Sequence, residues 1–330
     1  MILEGNPFAG KELEDLKQFL KKMDLDYDES IEYSVCILND EYEIIASGSV
    51  DSNVIKCVAV DPDYQGQGLS AQVISQLIQY EYEHARTHIM IYTKPKNYAM
   101  FSDLGFYTIL KTKDVLFMEN KKQGFPGFLN NLKKETPPQA LSGGTVNGCI
   151  VANCNPFTKG HRYLIEEALK QCDYLHLFIL SDNRSYFPAA KRFEMVQAGI
   201  ADLDRVILHR TSDYMISAST FPTYFFKDKA VGSQANCQLD IELFGKRIAP
   251  QLQISKRFVG TEPFCQVTGS YNKSLKELLP GMQIELNEIV RMEEEAQPVS
   301  ASRVRALLEE GKLLEVQKLV PQSTYRLLIQ

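Results

Sequence analysis

The chain has no CxxC pair, no uninterrupted apolar run of membrane-spanning length and no surplus of positive charge. Each lack removes a class of function. Structural zinc sites of the finger or ribbon kind are built on paired cysteines, so none is expected. The seven cysteines stand singly, at 36, 57, 149, 154, 172, 237 and 265. An odd number dispersed through a long chain argues against a disulfide framework. A transmembrane helix needs roughly 20 consecutive apolar residues, so no membrane partner is expected. A formal net charge of -6 disfavours a general grip on nucleic acid, which rests on a basic surface. The opening MILEGNPFAGKELEDLKQFL lacks the basic segment followed by an apolar stretch that marks a secretory signal. The expectation is a soluble cytoplasmic protein.

What is present is an ordinary globular mixture, 44% apolar and 24% charged, which can bury a core. A length of 330 residues suits two domains better than one. The stretch KKQGFPGFLNNLKKETPPQALSGG interrupts the apolar periodicity with Pro126, Pro137-Pro138 and Gly143-Gly144. We read 121–145 as a linker between a domain at 1–120 and another at 146–330.

Before the linker, SVCILND and EYEIIASGSV read as strands about a turn at Asn39-Asp40, and IKCVAV as a third. Val73, Ile74, Leu77, Ile78 and Glu81 recur at helical spacing, which predicts a helix over 70–82. HIMIYT, FYTIL and DVLFMEN complete an α+β domain with few helices. After the linker, strands and helices alternate from GCIVANC onward. Alternation of this kind implies a parallel sheet covered on both faces, with ligands beyond the carboxyl ends of its strands.

The most informative segment is IVANCNPFTKGHRYLIEEAL. A strand ends, Asn155-Pro156 turns the chain, Gly160 permits close backbone approach, and Thr158 and His161 stand at a helix mouth. Free N–H groups and a positive dipole end favour phosphate there. From spacing alone two readings stay open: Thr158 only caps and His161 is an ordinary surface residue, or both serve a phosphate. VSASRVRALLEEG supplies a second helix start, with Ser300, Ser302 and Arg303. There too the hydroxyls either cap the helix or bind anionic oxygens.

TKGH after NPFT resembles the (H/T)xGH motif of the nucleotidyltransferase superfamily, with Thr158, Gly160 and His161 at the matching places. VSASR resembles that superfamily's later ISTSR motif. SDNRSYFPAAKRFEMV, FPTYFFKD, LDIELFGKRIAP and RFVGTEPFCQVTGSYN narrow the resemblance to the citrate lyase ligase family, over essentially the whole chain. The resemblance implies a Rossmann-like parallel-sheet nucleotidyltransferase domain. It implies an acid–thiol ligase that adenylates acetate with ATP, releases pyrophosphate, and passes acetyl to the prosthetic-group thiol of the citrate lyase acyl carrier subunit, releasing AMP. His161, Thr158 and Arg303 are then the expected catalytic residues. Asn155, Thr158, Gly160, His161, Glu262, Ser300, Ser302 and Arg303 are expected to bind ATP. Arg184, Lys191 and Arg192 are expected second-rank contacts to phosphate or acetate. Mg²⁺ is expected with the phosphates, with no protein metal-ligand cluster. Cys154 reads as core or lining, His176 as core, and His209 as a strand-end residue that could face ligand.

In the first domain, VAVDPDYQGQGLSAQVISQLI resembles the pyrophosphate loop of GCN5-related N-acetyltransferases. Gln65, Gly66 and Gly68 fit, and Ser70 stands where Gly or Ala is usual. KNYAMFSDLGFY, with Asn97 and Gly105-Phe106, fits the same fold. The loop either holds the partner's dephospho-CoA-like prosthetic group or is the remnant of one in a docking domain. Two other functions compete with the ligase: a nucleotidyltransferase making a dinucleotide cofactor, and a non-catalytic adaptor of a citrate lyase complex.

Overall fold

The computed structural model describes residues 1–181, 183–215, 224–226, 229–261, 266–295 and 297–330. They form two compact units: Met1–Gly127 with Phe221–Leu239, and Phe128–Thr220 with Asp240–Gln330.

The first unit carries a seven-stranded sheet of β1 (Ile2–Gly5), β2 (Tyr33–Leu38), β3 (Ile44–Asp51), β4 (Val54–Val60), β5 (Met90–Thr93), β6 (Tyr107–Lys111) and β7 (Leu116–Glu119). Its order is β1-β2-β3-β4-β5-β7-β6. All neighbours are antiparallel except β4 and β5, which pair in parallel at Val54–Met90 and Ile55–Ile91. The turn expected between β2 and β3 forms because Asn39 Oδ1 accepts the N–H groups of Glu41 (3.0 Å) and Glu43 (2.8 Å), a side chain standing in for backbone. The helices are α1 (Gly10–Lys22), α2 (Leu69–Glu83) and α3 (Tyr98–Asp103). The helix read over 70–82 is α2. Its stripe of Val73, Ile74 and Leu77 is buried in one cluster with Val35, Ile37, Ile55 and Ile91 of the sheet. The reading missed β1 and α1, although α1 buries Leu16, Phe19 and Leu20 at helical spacing.

The stretch 121–145, read as a linker, contains helix α4 (Gly124–Glu135) and a 3₁₀ turn at Pro138–Leu141. The division between the two units, between Gly127 and Phe128, falls inside this stretch. Phe125, Phe128 and Leu132 fall on one face and are buried, and Pro126 lies in the first turn, where a missing N–H costs nothing.

The second unit carries a five-stranded sheet of β8 (Asn147–Ala152), β9 (Tyr174–Ile179), β10 (Val206–Arg210), β11 (Ile254–Gly260) and β12 (Glu285–Ile289). The order is β10-β9-β8-β11-β12, parallel throughout. Its helices are α5 (Lys159–Leu169), α6 (Ala189–Gly199), α7 (Lys229–Leu243), which crosses between units, α8 (Gln266–Leu278), α9 (Ala301–Glu309), α10 (Leu313–Leu319) and α11 (Gln322–Leu328). One core joins Ile150, Leu175, Leu177 and Phe258 of the strands to Ile165 of α5 and to Met195 and Val196 of α6. Because β8 is first in sequence and central in space, the chain winds outward to β9 on one side and later to β11 on the other. The crevice at their carboxyl ends is the switch point where such sheets take ligands.

Candidate functional site

At that switch point lies a cleft of about 460 Å³, within the size range of small-molecule sites. Asn153, Cys154, Asn155, Thr158, Gly160 and His161 line one side. Val299, Ser300, Ala301, Ser302 and Arg305 line another, and Arg257, Gly260, Tyr271, Asn272 and Arg291 also contribute. The two motifs that the sequence keeps far apart therefore open into the same space. They also touch: a Cβ on Gly160 would stand 2.7 Å from the Val299 carbonyl oxygen. Only glycine admits that approach.

The first helix mouth fixes its imidazole. Thr158 is the N-cap of α5, and its Oγ1 accepts the His161 N–H at 3.3 Å. The Thr158 N–H donates to His161 Nδ1 at 3.1 Å, and the hydroxyl lies 2.9 Å from the same nitrogen. With Nδ1 accepting, the neutral ring carries its proton on Nε2. The ring stacks on Phe157 at 5.9 Å. Burial, then the Arg291 cation, push the imidazole down to about 4. His161 is therefore a neutral donor at pH 7. Thr158 is fully buried and its hydroxyl is engaged, so it positions His161.

The second mouth is built similarly. Ser300 Oγ caps α9 by accepting the Arg303 N–H at 3.2 Å. Arg305 Nη2 donates to Ser302 Oγ at 3.2 Å and Nη1 donates to the Asn155 carbonyl at 2.6 Å, tying this mouth to the turn before α5. The Arg303 side chain instead donates to the Glu294 carbonyl at 3.3 Å, lies 3.9 Å from Glu295, and is not among the lining residues. Within the motif, Arg305 faces the cleft.

The other expected residues divide. Asn155 Oδ1 accepts the Phe187 N–H at 3.0 Å, so its side chain braces the loop before α6. Arg192 is buried and donates to the Phe187 carbonyl (3.0 Å), the Asn153 carbonyl (2.7 Å) and Asn153 Oδ1 (2.6 Å). It too fixes that loop. Lys191 lies 3.9 Å from Glu194, and Arg184 is exposed; none of the three lines the cleft. Glu262 lies outside the described residues. His209, a candidate to face ligand, is buried away from the cleft lining, with Nε2 2.9 Å from His176 Nδ1 and Nδ1 2.6 Å from Glu135. The Cys154 thiol beside the motif is pushed up to about 12 by burial. It stays protonated at neutral pH and is no nucleophile. Sequence reasoning missed Arg257, Arg291 and Arg305. Arg305 was within reach, two places after Arg303 on the same helix.

In the first unit, Gly66 and Gly68 adopt φ of +81° and +75°, the left-handed region that favours glycine. Gly68 is the N-cap of α2 and no side chain caps that helix. The loop is exposed.

A parallel sheet whose central strand leads into one of two abutting helix mouths, the other opening the C-terminal helices, has the fold of a nucleotidyltransferase domain, here following an acetyltransferase-fold domain. A family model described as the acetyltransferase (GNAT) domain matches residues 6–115, and one described as the citrate lyase ligase C-terminal domain matches 147–328. The chain is 41% identical over 320 residues to the citrate (pro-3S)-lyase ligase of Escherichia coli K12, covering 95% of this chain and 89% of that one. It is 40% identical over 322 residues to the same-named proteins of Klebsiella pneumoniae (96% and 92% covered) and Haemophilus influenzae (95% and 94%). The chain belongs to the citrate lyase ligase family.

Proposed function

We propose that this enzyme uses ATP to activate acetate and loads the acetyl group onto the prosthetic-group thiol of a citrate lyase acyl carrier subunit. The observation that carries the reading is the meeting of two helix mouths in one cleft, which suits a single triphosphate. A carboxylate oxygen of acetate attacks the α-phosphorus, the bond to the bridging oxygen breaks, and pyrophosphate leaves. The thiolate then attacks the acetyl carbonyl carbon, the carbon–oxygen bond to phosphate breaks, and AMP leaves. No protein nucleophile is needed. His161 Nε2–H donates to the α-phosphate as charge builds there. The first N–H groups of α9, Ser300, Ser302 and Arg305 hold the outer phosphates. Among the described residues no group of three or more His, Cys, Asp or Glu is arranged to hold a metal. Magnesium is proposed only as the nucleotide's own counter-ion, neutralising phosphate charge. Among the described residues, no helix is long and apolar enough to cross a membrane, and a cytoplasmic setting, where ATP is abundant, is part of the proposal.

The test is exchange of labelled pyrophosphate into ATP. Exchange should require acetate. Exchange driven only by a phosphomonoester would point to a dinucleotide-forming enzyme, and none with any acid would leave only an adaptor.

For the first unit we propose that the Gln65–Gly68 loop grips the anionic end of the carrier's prosthetic group. It offers exposed glycines in the left-handed region and a helix start that no side chain caps. Gln65→Ala with Gly68→Ala should slow acetyl transfer to the carrier by about tenfold, with acetate-dependent exchange untouched. Equal transfer rates in variant and parent would mean that the loop is a remnant.

A further inference from the structure

The cleft contains a cation that the scheme above leaves unused. Arg257 rises from within β11, not from its carboxyl end, and is only 3% exposed, yet it lines the cleft. Its Nη1 donates to Cys149 Sγ at 3.3 Å, its guanidinium lies 4.8 Å from the centre of the Phe244 ring, and its buried Nε has no partner among the described residues. Sulfur is a weak acceptor. Burial pushes the Cys149 thiol up to about 11, so it stays neutral and does not balance the charge. The carboxylate that acts on it is Asp240, and the two charges attract through space. Burial raises the Asp240 pKa, its carboxylate is held by the Tyr271 hydroxyl, and no salt bridge joins it to Arg257.

Buried charges in proteins are ordinarily paired, because an unpaired one costs several kcal/mol. A guanidinium held at the edge of a substrate cleft with donors to spare is therefore short of an anion. Its planar fork matches a carboxylate with two parallel hydrogen bonds. The phosphates have their own donors at the mouths of α5 and α9, whereas Arg257 projects from the sheet itself. We infer that Arg257 binds the carboxylate of the acid substrate. The Tyr271–Asp240 pair is the device that keeps the site open, since a free Asp240 would compete for the same guanidinium. The assignment rests on the adenylation reading and supplies its missing acid site.

The experiment measures pyrophosphate exchange while acetate and ATP are varied separately. Arg257→Lys keeps the charge but loses the fork. The KM for acetate should rise about 10- to 100-fold while the KM for ATP stays at the parent value. Tyr271→Phe should also raise the KM for acetate, by releasing Asp240 toward Arg257, and a further Asp240→Asn should reverse that rise. A changed KM for ATP with acetate unaffected would make Arg257 a nucleotide residue and overturn the assignment. If Arg257→Lys does not fold, the Tyr271→Phe pair decides alone: an unchanged acetate KM sinks the proposal. Parent enzyme without acetate-dependent exchange would overturn the adenylation reading itself and this assignment with it.

Discussion

Replacing His161 with alanine is expected to lower acetate-dependent pyrophosphate exchange by about a hundred- to a thousandfold, the usual cost of removing a donor aimed at developing charge. The fold should survive. Thr158 Oγ1 accepts the backbone N–H of residue 161, so the cap of α5 does not depend on the imidazole. The contacts of Nδ1 with the Thr158 N–H and hydroxyl and the stacking on Phe157 are lost. Thermal melting of the variant should stay close to the parent's, and ATP should still bind, because the helix mouths remain. His161→Gln should recover part of the rate if its amide N–H reaches the same phosphate oxygen. A neutral donor suffices here: burial and Arg291 hold the ring near 4, so at physiological pH it gives a hydrogen bond without a full charge. An alanine variant exchanging at the parent's rate would remove His161 from the chemistry.

Gly160→Ala is expected to damage both stability and nucleotide affinity. Its new Cβ would stand 2.7 Å from the Val299 carbonyl oxygen, a backbone atom of the second mouth. One of the two segments has to move, at a cost of about 1–3 kcal/mol as in other overpacked sites. Melting should fall by several degrees, and the KM for ATP should rise more than that for acetate, since it is the spacing between the mouths that is forced open. Gly260→Ala is the control on the same cleft, because its Cβ would meet only Arg291 atoms at 3.8 Å, an ordinary contact. If Gly160→Ala melts and binds ATP like the parent, the two mouths do not abut.

Much of the second unit could be read in the sequence, because alternation of strand and helix reports a parallel sheet locally. Both helix mouths were legible as well, since their capping residues lie within a few places of each other. What joins the mouths was not: the contact of Gly160 with Val299 spans most of the domain. Arg257 was hidden for a different reason. In KRFVG it reads as one polar place in a strand, and only the packing of Cys149, Phe244 and Asp240 around it reveals a buried cation. Helix α4 was obscured by Pro126 and the glycines beside it, residues that signal a break until their place in a first turn is known. Arg303 stands at the motif position of VSASR, and the helix turns Arg305, two places on, toward the cleft.

The residues between Phe221 and Leu239 group with the first unit, although the chain reaches them only after three strands of the second. Tyr224 and Phe225 are buried there, and the Tyr224 hydroxyl donates to the Tyr92 carbonyl at 3.3 Å. The ribosome must therefore translate past Leu239 before the first unit has all its parts. The domain that begins synthesis first is completed only after three strands of the other have been made, and no single cut in the gene divides the protein into two self-sufficient halves.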